Sequence, residues 1–318
     1  MPGSAPLRAR LVLRDTLDWD AVTDEEVVAI RAKVNRIRAS RVARIITGWP
    51  DRRTRIEEHQ IDLPGRRLTL RVHRPKNAAS AKLPLILSLH GGGFIVGLPA
   101  QNDWLNSHLA ASLPAIVVSV AYRLAPEHPM PTQVDDAYET LARLVGDPFG
   151  WGVDPAAVAV FGESAGGTIA TLVALRARKD GPPIHAQVLA YPGTDWSETR
   201  ADYPSVAANG GNPGLSLGEW RTAHRLAIPS TVDPSAVSPV KADNLADLPP
   251  ALIVVGELDA ALDQGRAYAE RLRADGSAAR LTVYPRAVHG FISTPGLIPA
   301  ARPARREILE FLRDHLRR

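Results

Sequence analysis

The hydrophobic positions of this chain change period as the sequence proceeds. Residues 85–90, 116–121, 158–163, 186–191, 251–256 and 281–284 are short apolar runs rich in valine, isoleucine and leucine. Runs of that length, bounded by turn residues, predict buried strands. Longer segments near 102–112, 132–145, 166–178, 262–274 and 304–316 fall between and after them and predict helices. Two further strands are expected at 55–62 and 67–74. An amphipathic helix is expected over 24–46, with Val28, Ile30, Val34, Ile37, Ile45 and Ile46 as its stripe and Thr23 or Asp24 as its cap. Strands alternating with helices imply an α/β fold, a mostly parallel eight-stranded sheet with helices on both faces. The rhythm breaks over about 194–232, where Asn209-Gly210-Gly211-Asn212-Pro213 precedes a possible helix at 217–227. Inserted after a strand, this stretch is expected to join the N-terminal helix as a cap over the sheet rim.

Composition narrows the function. At 318 residues and 45% hydrophobic content, one α/β domain with an accessory segment is expected. No run of about eighteen apolar residues predicts a membrane span. Residues 1–14 are basic but lack an apolar core and a small-residue cleavage site, so no signal peptide is expected and the cytoplasm is the expected location. Zero cysteines exclude disulfides, thiolate metal sites and a cysteine nucleophile. The formal charge is +4, and the arginines are scattered among acids instead of gathered into a stripe with aromatics, which argues against a nucleic-acid partner. No H-x-x-x-H or H-E-x-x-H spacing occurs, so no metal, and no cofactor, is expected.

The chemistry concentrates at the ends of the apolar runs. Gly162-Glu163-Ser164-Ala165-Gly166 stands where a strand hands over to a helix. A serine in so sharp a turn is backbone-strained, and glycines at 162 and 166 remove side chains that would collide with the helix. Serine is a weak nucleophile until a base takes its proton, and the base needs an acid to orient it. Asp259 follows the run 251–256, and His289 follows the run 281–284, so all three lie on one rim in the order Ser, Asp, His. In an open parallel sheet that rim binds ligands. His90-Gly91-Gly92-Gly93-Phe94 ends the run 85–90. Consecutive glycines let the main chain approach a developing oxyanion, and the amides of Gly92, Gly93 and Ala165 are the expected donors.

With these residues in hand, the chain resembles the hormone-sensitive-lipase-like esterases, bacterial family IV of the α/β-hydrolases. The resemblance runs from about residue 60 to the C-terminus. It includes His90 to Phe94, the elbow, Tyr122 to Pro129, Tyr191-Pro192, Leu248 to Ala251 and His289-Gly290-Phe291. It implies a Ser164-Asp259-His289 triad, an ester substrate of short-to-medium acyl chain, and a cap built from two regions. Residues 1–50 would be an N-terminal cap segment and 51–318 a catalytic domain with a second cap insertion over about 194–232. It also implies a possible homodimer through the sheet edge near 281–284. Three positions depart from the family pattern: Glu163 where aspartate is usual, Asp259-Ala260-Ala261 where Asp-Pro-Leu is usual, and Arg286 where a glycine is common. Amides, carbamates or lactones are the alternative substrates of the same triad. A non-catalytic receptor of this fold is disfavoured, because such receptors lack the histidine that His289 supplies.

Other polar residues have plainer expectations. Glu163 should contact neighbouring loops, His90 should hold the glycine loop, and His128 should brace a loop beneath the site. Asp263 is the rival for the acid, but Asp259 ends the strand and is favoured. Glu257 is expected to point away from His289, and Asp135 and Asp136 to favour a helix start.

Overall fold

The computed structural model describes residues 18–77, 82–179 and 181–316, so the segment 1–14 lies outside the described residues. Chain order runs α1 (Asp24–Ala39), α2 (Arg44–Thr47), β1 (Thr54–Leu63), β2 (Arg66–Pro75), β3 (Leu83–Leu89), α3 (Asp103–Ser112), β4 (Ile116–Val120) and α4 (Thr132–Gly146). It continues through α5 (Pro148–Trp151), β5 (Val153–Glu163), α6 (Ala165–Ala177), β6 (Ala186–Ala190), α7 (Pro204–Asn209) and α8 (Leu217–Ala227). β7 (Ala251–Gly256), α9 (Leu262–Ala274), β8 (Ala279–Tyr284) and α10 (Ala301–Leu316) complete it. Among the described residues the strands form one eight-stranded sheet in the order β1-β2-β4-β3-β5-β6-β7-β8. β2 is antiparallel to β1 and to β4, and every other pairing is parallel. The expected α/β-hydrolase sheet is therefore present.

Side-chain alternation along the central strands divides the core into two layers. Leu85, Leu87 and Leu89 of β3 and Val158 and Val160 of β5 face one side, where Val134, Leu141, Ile169, Val173, Tyr268 and Leu272 of α4, α6 and α9 cover them. Ile86, Ala159 and Phe161 face the other, against Leu105, Leu109, Ile308 and Leu312 of α3 and α10. Both faces of the inner strands are buried, which explains why these strands read as continuous apolar runs.

Two expectations change. The helix expected over 24–46 stops at Ala39, because Ser40 turns extended (φ −72°, ψ 153°) and its Oγ accepts the Ala43 N–H at 3.2 Å. A serine side chain competing for a main-chain donor in this way breaks a helix. Thr23 does cap α1, in a reciprocal box with Glu26. The expected stripe is not the packed face: Val27 is fully buried, whereas Val28, Ile37 and Ile45 are exposed. The second change is β5, which begins at Val153 and not at 158. Leu83 and Pro84 pair with Val153 and Asp154 ahead of a register shift that absorbs Pro155.

The two segments flanking the rhythm meet above the carboxyl ends of the strands. α8 binds the chain ahead of α1 through Thr222 Oγ1 to Trp19 O, 2.5 Å, and Arg225 Nη2 to Val22 O, 2.7 Å. Ser216 caps α8 with Glu219.

Candidate active site

Ser164 sits between β5 and α6 at φ 51°, ψ −122°, a region that a side chain other than glycine rarely occupies. Its N–H donates to Ala190 O at 2.9 Å, which anchors the turn to β6. A Cβ on Gly162 would lie 2.1 Å from Gly166 O, so the start of the helix requires that glycine. A Cβ on Gly166 would lie 2.1 Å from Leu89 O, so there the intruding group is the end of β3 and not the helix.

The rim brings Ser164, His289 and Asp259 together. His289 Nε2 lies 2.7 Å from Ser164 Oγ, and His289 Nδ1 lies 2.9 Å from both Asp259 oxygens. Asp259 is fully buried and its Oδ1 also accepts the Ala261 N–H at 2.8 Å. Burial pushes the His289 imidazole down. The charge and hydrogen bond of Asp259, helped by Glu219 and Glu163, more than offset this and leave its pKa above the usual 6.5.

The glycine loop runs beside the serine with Gly92 at φ 133°, Gly93 at φ 60° and Phe94 at φ 65°. A Cβ on Gly92 would stand 2.0 Å from Val96 O, so the close turn requires glycine. The Gly91 N–H is taken, since it donates to Glu163 Oε1 at 3.2 Å. Among the described residues the amides of Gly92 and Gly93 have no protein acceptor. Ala165 is the first residue of α6, where the helix supplies no acceptor of its own.

Glu163 does contact the neighbouring loops. Besides Gly91, its Oε1 accepts Gln101 Nε2 at 2.7 Å, and its Oε2 accepts the hydroxyls of Tyr191, at 2.8 Å, and of Ser293. Burial, and then Glu163, push the Tyr191 phenol well above its usual pKa, so it stays a donor. His90 holds the loop as expected. Its ring stacks on Tyr122 at 4.2 Å, and burial lowers its pKa to about 4, so it is neutral. The His128 main chain does the bracing, its carbonyl accepting Gln133 Nε2 at 2.5 Å.

Asp263 stands away from the imidazole, accepting the Ser205 N–H at 2.8 Å and pairing with Arg266 at 2.9 Å. Glu257 accepts the Arg286 N–H at 2.8 Å. Arg286 has φ 56°, in the left-handed region that favours glycine. Asp136 corrects the helix-start expectation. It lies beyond the first turn of α4, fully buried, bound by Arg66 at 2.6 Å and Arg123 at 2.9 Å, and ties β2 to that helix.

Sequence reasoning missed the groups that hold these parts in place. α1 grips the glycine loop with polar side chains: Arg31 Nε donates to Ile95 O at 2.7 Å, and Asn35 both donates to and accepts from Gly97, at 2.9 and 3.1 Å. Asn209 Nδ2 donates to the carbonyls of Glu257 and Asp259 at 3.3 and 3.2 Å, and Ser205 Oγ donates to Ala260 O at 2.8 Å. The only signal was the Asn-Gly-Gly-Asn-Pro turn, which marks a loop without showing what it touches. Above Ser164 these segments enclose a cavity of about 310 Å³ walled by Trp19, Ile46, Ile95, Trp196 and Trp220.

The sequence profile of the α/β-hydrolase fold family matches residues 86–293. The chain is 38% identical over 264 residues to esterase LipI of Mycobacterium tuberculosis, covering 81% of this chain and 82% of the relative. It is 34% identical over 257 residues to an ethyl acetate hydrolase of Pseudomonas putida, covering 79% and 80%. The solved structure of an ester-hydrolase from the metagenome of Lake Arreo superposes with a TM-score of 0.86 at 28% identity, over 98% of this chain and 99% of that one. The chain belongs to the α/β-hydrolase family, in its hormone-sensitive-lipase-like branch. It is a carboxylic ester hydrolase.

Proposed function

We propose that Ser164, His289 and Asp259 carry out the hydrolysis of short-to-medium acyl esters in two steps. His289 Nε2 takes the Ser164 proton as Oγ attacks the ester carbonyl, and Asp259 holds the imidazole by Nδ1 and stabilises its cation. The carbonyl oxygen, now negative, is received by the amides of Gly92, Gly93 and Ala165. His289 then protonates the leaving alcohol. Water, activated by the same histidine, attacks the acyl-enzyme and frees the acid. The 2.7 Å contact between His289 Nε2 and Ser164 Oγ carries this reading. Of the N-terminal segment 1–50, the described residues 18–50 act together with about 194–232 as the cap that excludes water from the reaction.

The acyl range rests on the cavity, whose 310 Å³ suits small chains better than long ones. Hydrolysis of p-nitrophenyl acetate, butyrate, octanoate and palmitate tests it: the rate should peak at butyrate to octanoate, and a maximum at palmitate would refute it. Among the described residues no helix is long and apolar enough to cross a membrane, and we retain the cytoplasm as the location. Among the described residues β8 ends the sheet with an unpaired edge, which supports a homodimer formed there and tested by light scattering.

A further inference from the structure

The cavity above Ser164 contains a cation that neither the proposed triad nor the glycine loop uses. Arg38, in the last turn of α1, lines it together with Gly92, Ser164, Glu219 and His289. Its Nη1 donates to Gln101 Oε1 at 3.1 Å, and among the described residues no carboxylate lies within ion-pair distance of it. Its neighbour two turns back is different: Arg31 spends its guanidinium on both oxygens of Glu127, at 2.8 Å each, and on the carbonyls of Ile95 and Ala125. Arg38 therefore has guanidinium donors beyond the one spent on Gln101, on a side chain that lines the cavity.

The acids nearest to Arg38 do not saturate it. Glu163 is occupied by four donors, and Glu219 Oε2 accepts the Ser216 N–H at 2.8 Å. Burial lowers the Arg38 pKa, and the charges of Glu163 and Glu219 oppose that. A guanidinium stays charged under such conditions, and holding it half-buried among apolar walls is costly unless an anion completes its shell. A carboxylate matches its fork in geometry as well as charge.

We propose that Arg38 receives a carboxylate carried by the substrate, and that half-esters of short aliphatic dicarboxylic acids are a substrate class of this site. Water would cleave the acyl C–O bond as in any other ester, releasing the alcohol and the free dicarboxylate. The inference rests on Ser164 as the nucleophile.

The test compares kcat/KM for the monoethyl esters of succinic, glutaric and adipic acids with that for ethyl butyrate, pentanoate and hexanoate. Wild type, Arg38→Met and Arg38→Lys are followed by pH-stat. The ratio of half-ester to neutral ester should fall about tenfold or more in Arg38→Met for at least one chain length, mainly through KM, and recover partly in Arg38→Lys. A ratio does not depend on the fraction of folded enzyme. An unchanged ratio at all three lengths overturns the proposal even if both activities fall together, because Arg38 would then act through Gln101 on Glu163. Turnover that survives Ser164→Ala would overturn the assignment of the nucleophile, and this inference with it.

Discussion

Glu163 Oε1 accepts the Gly91 amide at 3.2 Å, tying the end of the strand before Ser164 to the loop that carries Gly92 and Gly93. The residue beside the proposed nucleophile thus joins that turn to the loop proposed to hold the oxyanion. Glutamate reaches Gly91, Gln101, Tyr191 and Ser293 at once.

Glu163→Gln keeps the shape but puts an amide NH2 among four donors. Loss of a buried charged acceptor should destabilise the fold by about 1.5–3 kcal/mol and lower kcat more than it raises KM. Denaturant unfolding and steady-state kinetics on the same preparation check both.

The raised pKa of His289 sets the sign of the pH dependence. As the proposed base, His289 must be neutral to act, so kcat/KM should fall as pH drops through an apparent pKa above 6.5. Stability runs the other way: protonation of His289 favours the folded state, so its contribution is full below about 6.5 and is lost as pH rises through the folded pKa. Asp259→Asn removes the partner that raises the pKa. The acid limb should move to lower pH and kcat should fall on the order of 10⁴-fold.

Asp263→Asn should be mild by comparison, costing a few-fold at most, because this side chain serves Ser205 and Arg266 and does not meet His289. Parallel kinetics of the two asparagine variants decide between the acids, and the reverse ranking would reassign the role.

Gly214 supplies a test remote from the proposed triad in sequence. It has φ 103°, and a Cβ there would lie 2.4 Å from His289 O. Gly214→Ala should displace the histidine and lower kcat about a hundredfold. Circular dichroism should show the sheet intact.

The strands and most helices were legible because both faces of the central sheet are buried, which writes apolar runs into the sequence. Ser164, Asp259 and His289 were legible because each follows such a run on the same rim. What stayed hidden was carried by polar contacts distant in sequence. Arg31 and Asn35 gave no periodic signal, and the apolar residues of the same helix suggested a packed face that Ile37 and Val28 do not form. Asn209 and Ser205 hold the Asp259 loop from about fifty residues away. Asp136 looked like a helix-start acid because its two arginines come from elsewhere in the chain.

The most direct measurement is covalent labelling with p-nitrophenyl diethyl phosphate, followed by peptide mapping. The account predicts one label per chain, on Ser164, with loss of esterase activity in proportion to labelling and no label in Ser164→Ala. A label on another residue, or activity that persists in a fully labelled enzyme, would contradict it.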